Sequence, residues 1–144
     1  MKEQVITFKT AKLAKEKGFN ELVIHYYTPK GYCTESEGYR TERLVESNWN
    51  NGQGNYPTMP KDVSCSAPTQ YLLQRWLREK HNIHMYIIAD KPYSFSENKD
   101  LDVIWICSLY KPLLIEYGNL KQEYKTYEEA LEAGLQAALE LINN

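Results

Sequence analysis

The chain has 144 residues, of which 42% are hydrophobic and 25% charged, and its formal net charge is −2. That length and balance predict one folded domain over residues 1–144, with a core of its own. They leave no global electrostatic pull toward nucleic acid or anionic membrane. No run approaches the ~20 apolar residues of a membrane span, and the polar opening Met1–Thr7 lacks the pattern of a signal peptide. Cys33, Cys65 and Cys107 are odd in number and far apart. This argues against a disulfide framework and for a reducing cytoplasm. The 12 tyrosines suit half-buried sheet surfaces and interfaces alike.

The first predicted helix covers about residues 9–17, with Thr7 as N-cap. Gly18 fits the left-handed position after the helix, and Phe19 turns back on Ala14. Lys9, Lys12, Lys15 and Lys17 make it basic, and they read as a solvated face. Residues 21–28 read as a strand because Leu22 to Tyr27 is rich in branched and aromatic side chains. Pro29, Lys30 and Gly31 are turn chemistry. Residues 39–45 form a weaker candidate, an edge strand with a poorly apolar alternation, and residues 32–38 extend either strand. Residues 47–64 are rich in Asn, Gly and Pro and show no period. They read as a long mobile loop, with Trp49 and Tyr56 as its anchors and candidate binding residues.

A second helix is predicted over about residues 67–81, with Ser66 as N-cap and Pro68 in its first turn. Leu72, Leu73, Trp76 and Leu77 fall on one apolar face, and Gln70, Tyr71, Gln74, Arg75 and Arg78 on the other. A strand over 83–89 follows, then turn residues 90–100. The strongest strand, over 102–110, is apolar almost throughout, which predicts a central position covered on both faces. These two strands pair antiparallel, and residues 113–117 add a short piece after Pro112. In the last helix Thr126 and Glu129 form a capping box. Tyr127, Leu131, Leu135, Ala138 and Ile142 share one face, with Ala130, Gly134, Ala137 and Leu141 beside it to allow close packing. The fold class is therefore α+β: three helices on a mainly antiparallel sheet of about four strands, in the order α-β-β-α-β-β-α.

No catalytic constellation stands out. Cys65 precedes the second helix, but His81 and His84 lie about 20 Å away at its far end. Only His25 could meet Cys65 through the fold. No Cys-x-x-Cys pair or phosphate-binding glycine loop is present, so neither metal nor cofactor is expected. On the outer face of the second helix, Arg75 and Arg78 could contact phosphate or guanine, Gln74 could read adenine and Tyr71 could stack. The same aromatic and Arg side chains are the usual hot spots of protein interfaces.

Ser66-Ala-Pro-Thr-Gln through Trp76-Leu-Arg-Glu to His81-Asn-Ile83, with the ending Thr126-Tyr-Glu-Glu-Ala-Leu-Glu-Ala-Gly-Leu135, resembles small proteins of gut Bacteroides-type bacteria and their prophages. The opening Ala11 to Phe19 helix is similar too. The resemblance implies a mobile-element accessory role by association and carries no catalytic residue or cofactor. The sequence thus points to a non-enzymatic protein-binding or adaptor protein of phage or mobile-element origin, working in the cytoplasm through an unidentified protein partner. One alternative is a nucleic-acid-binding module using the exposed face of helix 67–81. Another is a small-molecule or enzyme site under loop 47–64.

Overall fold

The computed structural model describes residues 3–35, 46–51, 53–54, 62–90, 103–112, 114–119 and 122–143. Among them are three helices, α1 (Phe8–Glu16), α2 (Gln70–His81) and α3 (Tyr127–Glu140). The strands are β1 (His25–Tyr27), β2 (Cys33–Glu35), β3 (Ser47–Asn48), β4 (Gln53–Gly54), β5 (Cys65–Ser66), β6 (His84–Asp90), β7 (Ile104–Lys111) and β8 (Leu114–Asn119). All pairings are antiparallel, in the orders β2-β1-β5, β3-β4 and β6-β7-β8. The chain is a small α+β protein, as its helix and strand patterns predict. Its strands are more numerous than about four because short pieces between α1 and α2 pair in twos and threes. The predicted strand over 39–45 lies outside the described residues. Two compact units result, one of Met1–Leu73 with Asn144 and one of Gln74–Asn143.

In the first unit, α1 begins where Thr7 Oγ1 accepts from the Thr10 amide. It stops where the amide of Gly18 donates to Lys15 and that of Phe19 to Ala14. Gly18 takes a φ of 85°, a left-handed conformation that glycine enters without the penalty of a Cβ. Thr10, Ala11 and Ala14 are buried, leaving the lysines on the outer side. β1 is central, with Tyr27 beside Cys33 of β2 and Cys65 of β5. The Tyr27 hydroxyl donates to the Ile6 carbonyl at 2.7 Å.

Residues 47–50 are the main departure from the predicted loop. Ser47 bridges Val23, and β3 pairs with β4. Trp49 is 1% exposed, and its indole N–H donates to the Val23 carbonyl. The Asn48 amide donates to the Asn20 carbonyl, and the Asn50 amide to that of Phe19. The Asn50 side-chain oxygen accepts from the Ser66 amide. Composition alone reads Asn-rich segments as loops, but here the amide groups saturate the backbone left open by the end of α1. The rest of the predicted loop falls mostly outside the described residues.

The start of the second helix also needs correcting. Ser66 belongs to β5, and α2 begins at Gln70, where Thr69 Oγ1 accepts from the Leu72 amide. Residues 65–69 are held out of the helix because the Pro68 carbonyl accepts from Ile6 and the Gln70 amide, at the helix start, donates to Gln4. Pairing to the N-terminal segment overrides the cap signal.

In the second unit, α2 ends at Asn82, which has a φ of 54° and is among the few residue types at ease there. β6 leaves at once and pairs with β7 along its whole length, from His84 opposite Tyr110 to Asp90 opposite Ile104. One side of this pair packs on α3. There Met85, Cys107 and Leu109 are buried, and an added Cβ on Gly134 would overlap Cys107 Sγ. Trp105 meets Tyr127 edge to face at 5.5 Å. Thr126 caps α3 as predicted, accepting from the Glu129 amide. The Glu129 carboxylate, however, reaches back past the cap to the Lys125 amide. Lys111 donates to the Leu141 carbonyl at the other end, favourable for the negative pole of the helix.

Two substitutions check this packing by denaturant unfolding. Trp49→Ala is expected to destabilise the fold by about 3–5 kcal/mol, since it leaves a large cavity and removes the indole hydrogen bond to the Val23 carbonyl. Gly134→Ala is expected to cost about 1–3 kcal/mol by overpacking against the sulfur. Combining it with Cys107→Ala recovers part of that loss.

Candidate functional site

The exposed side of α2 carries some of the predicted binding residues. Tyr71 is 56% exposed, in the first unit. In the second unit's part of the helix, Arg78 is exposed, while Gln74 and Arg75 are half-buried. Gln70, predicted to lie on the same open face, is buried at 4% exposure, because it starts the helix beneath its contact with Gln4. The Arg78 guanidinium lies 4.0 Å from the Glu79 carboxylate. A pair this exposed is weak and leaves the Arg available to other anions. Trp49 is enclosed in the first unit and presents no face to a ligand, and Tyr56 lies outside the described residues.

The cysteines and histidines have separate occupations. Cys65 is fully buried in β5. Burial pushes its thiol up, against a smaller opposing pull from the Ser64 side chain, Lys15 and Lys12. His25 Nε2 sits 3.1 Å from Glu35 Oε1 across β1 and β2, so it is engaged by a carboxylate. Burial pushes the Cys107 thiol up to about 11. Thiols in such surroundings stay protonated and unreactive. His81 stands edge-on to Trp76 at 4.4 Å, and burial followed by the nearby Lys111 lowers its basicity. His84 Nε2 lies 3.0 Å from Asn82 Oδ1. Among the described residues no three His, Cys, Asp or Glu side chains converge as metal ligands.

The more informative surface is one that the sequence pattern conceals. In β6 and β7 the residues opposite one another share a face, so the side away from α3 holds Tyr86, Ile88, Ile104, Ile106 and Tyr110, with Ser108 opposite Tyr86 and the polar His84 and Asp90 at the two ends of β6. Tyr86 is 56% and Ile88 52% exposed, and Ile104, Ile106 and Tyr110 are half-buried. The near-continuous apolar run predicts cover on both faces of the central strand. Among the described strands its position is central, and α3 covers one side, while the other side is half-buried at Ile104, Ile106 and Tyr110 and exposed at Tyr86 and Ile88. A strand that is apolar on both sides reads the same whether its second face meets a helix of its own chain or is left open. The signal lies in β6, where Tyr86 and Ile88 alternate with the buried Met85.

No protein-family model, curated protein or solved structure matches this chain. Its surfaces are therefore read from their own geometry.

Thiol labelling at neutral pH tests the cysteine assignments. Cys33, which is exposed, reacts at once, whereas Cys65 and Cys107 react only as fast as unfolding uncovers them. The raised Cys107 thiol also has a sign in stability. Its contribution is fully present below its ordinary value of 9.0 and is lost as pH rises through about 11. Cys107→Ala is expected to reduce that alkaline loss in unfolding titrations.

Proposed function

We propose that the protein acts by holding another protein, as a non-enzymatic binding or adaptor molecule, through the open face of its β6–β7–β8 sheet. One observation carries this reading: Tyr86 and Ile88 stand more than half exposed beside Ile104, Ile106 and Tyr110. Contiguous apolar surface of this kind marks interaction sites, and aromatic residues supply much of the energy in such contacts. No described helix is long and apolar enough to cross a membrane, so this face is not part of a membrane-spanning helix. A cytoplasmic setting and a phage or mobile-element origin belong to the same proposal. They rest on three free, widely spaced cysteines, odd in number, and on the family resemblance of residues 66–83 and 126–142.

The nucleic-acid reading through Tyr71, Gln74, Arg75 and Arg78 has the exposure of Tyr71 and Arg78 in its favour. It has only two guanidinium groups, one already near a carboxylate. A small-molecule site under residues 47–64 has less support, since Trp49 is enclosed and its indole N–H is committed to Val23.

Affinity capture from a host lysate, with and without nuclease, separates these readings. The expected result is a stoichiometric protein that survives nuclease and is lost when Ile106→Ser and Tyr110→Ser are combined. If the doubly substituted, folded protein retains the same partner, the sheet face is not the contact. Capture that vanishes with nuclease, falls steeply with salt and depends on Arg75 and Arg78 shifts the assignment to α2.

A further inference from the structure

We propose that β6 pairs antiparallel with β6 of a second copy of this chain, joining two three-stranded sheets edge to edge. The inference deepens the reading of this sheet as a contact surface and rests on it for the openness of Tyr86 and Ile88. Among the described residues β6 is an end strand, in the order β6-β7-β8. Its seven residues, His84-Met-Tyr-Ile-Ile-Ala-Asp90, contain no Pro, Gly or Lys. Edge strands in soluble proteins are usually shortened, charged or interrupted to prevent pairing with another chain. This one is regular, and Tyr86, Ile88, Ala89 and Asp90 are all exposed.

The sequence of β6 also fits its own reverse. A two-fold axis normal to the sheet brings two edges together antiparallel and keeps equivalent faces on the same side. Paired residues must then have matching parity, because neighbours on a strand point to opposite faces. The register that uses all seven residues is centred on Ile87. It sets Tyr86 against Ile88 of the second copy, an aromatic opposite a β-branched residue, which is a favourable cross-strand pair. Met85 falls opposite Ala89 of the second copy. At each end His84 faces Asp90 of the second copy, an imidazole opposite a carboxylate. With a net charge of −2, long-range repulsion between copies is small. The result is one continuous sheet with both open faces on the same side.

Sedimentation of the full chain over a wide concentration range tests the proposal. The expected species has the mass of two chains and dissociates on dilution. Ile88→Lys, at an exposed position, is expected to weaken self-association by about tenfold or more while leaving the circular dichroism of the fold unchanged. Asp90→Lys is expected to weaken it as well, and adding His84→Glu, which sets a Glu opposite the new Lys, restores it. A wild-type chain of single mass at every concentration overturns the proposal, as does an Ile88→Lys dimer as tight as wild type. A double variant, Asp90→Lys with His84→Glu, as weak as Asp90→Lys alone overturns the Ile87-centred register. A monomer that still captures its partner through Ile106 and Tyr110 refutes only the pairing. A dimer whose captured protein ignores those two residues refutes only the proposed function.

Discussion

The first half of the chain depends on where the side chains of Asn48, Trp49 and Asn50 place their hydrogen bonds. Asn50 donates to the Phe19 carbonyl and accepts from the Ser66 amide, so one side chain ties the stop of α1 to β5. Trp49 fills the space between with a buried indole whose N–H goes to Val23. The Asn50 amide supplies partners to the Phe19 carbonyl and the Ser66 N–H, and a backbone group buried without a partner costs about 1–3 kcal/mol. β1 can be as short as three residues because it is braced on both sides by strands and beneath by this tripeptide.

The second half depends on a close approach instead. Gly134 brings α3 onto the sheet at Cys107, and a larger residue there would hold the helix away from Met85 and Cys107. Small residues on α3 thus set the depth of one layer, and that layer uses only one face of the sheet. The opposite face is equally apolar in Tyr86, Ile88 and Ile106. The surface proposed to bind protein arises from this asymmetry.

Much of the local structure was legible in the residues. Thr7, Gly18 and Phe19 mark both ends of α1, and Thr126 marks the start of α3, since these signals act within one turn. The pairing of β6 with β7 follows from two apolar runs joined by turn residues. What could not be read was set by distant partners. The Ser66 cap signal lost to pairing with Tyr26, and Gln70 was buried by contact with Gln4. Trp49, whose surroundings read as a loop, was drawn inside by a carbonyl 26 residues earlier. For the candidate site, the exposure of Tyr71 and Arg78 on α2 was foreseen. The open sheet face was not, because periodicity records how apolar a strand is and not what covers it.

The Asn50 bridge also imposes an order on events during synthesis. Its two partners lie 31 residues before it and 16 after it. As a nascent chain leaves the ribosome, α1 can wind as soon as residue 19 emerges, because its capping contacts are local. The brace around β1 must wait until Ser66 has followed. Until then Tyr26 and Tyr27 lack their β5 partners. The Gln4 and Ile6 backbone waits longer still, for residues 68–70, so the N-terminal segment is the last part of this half to be fixed in place.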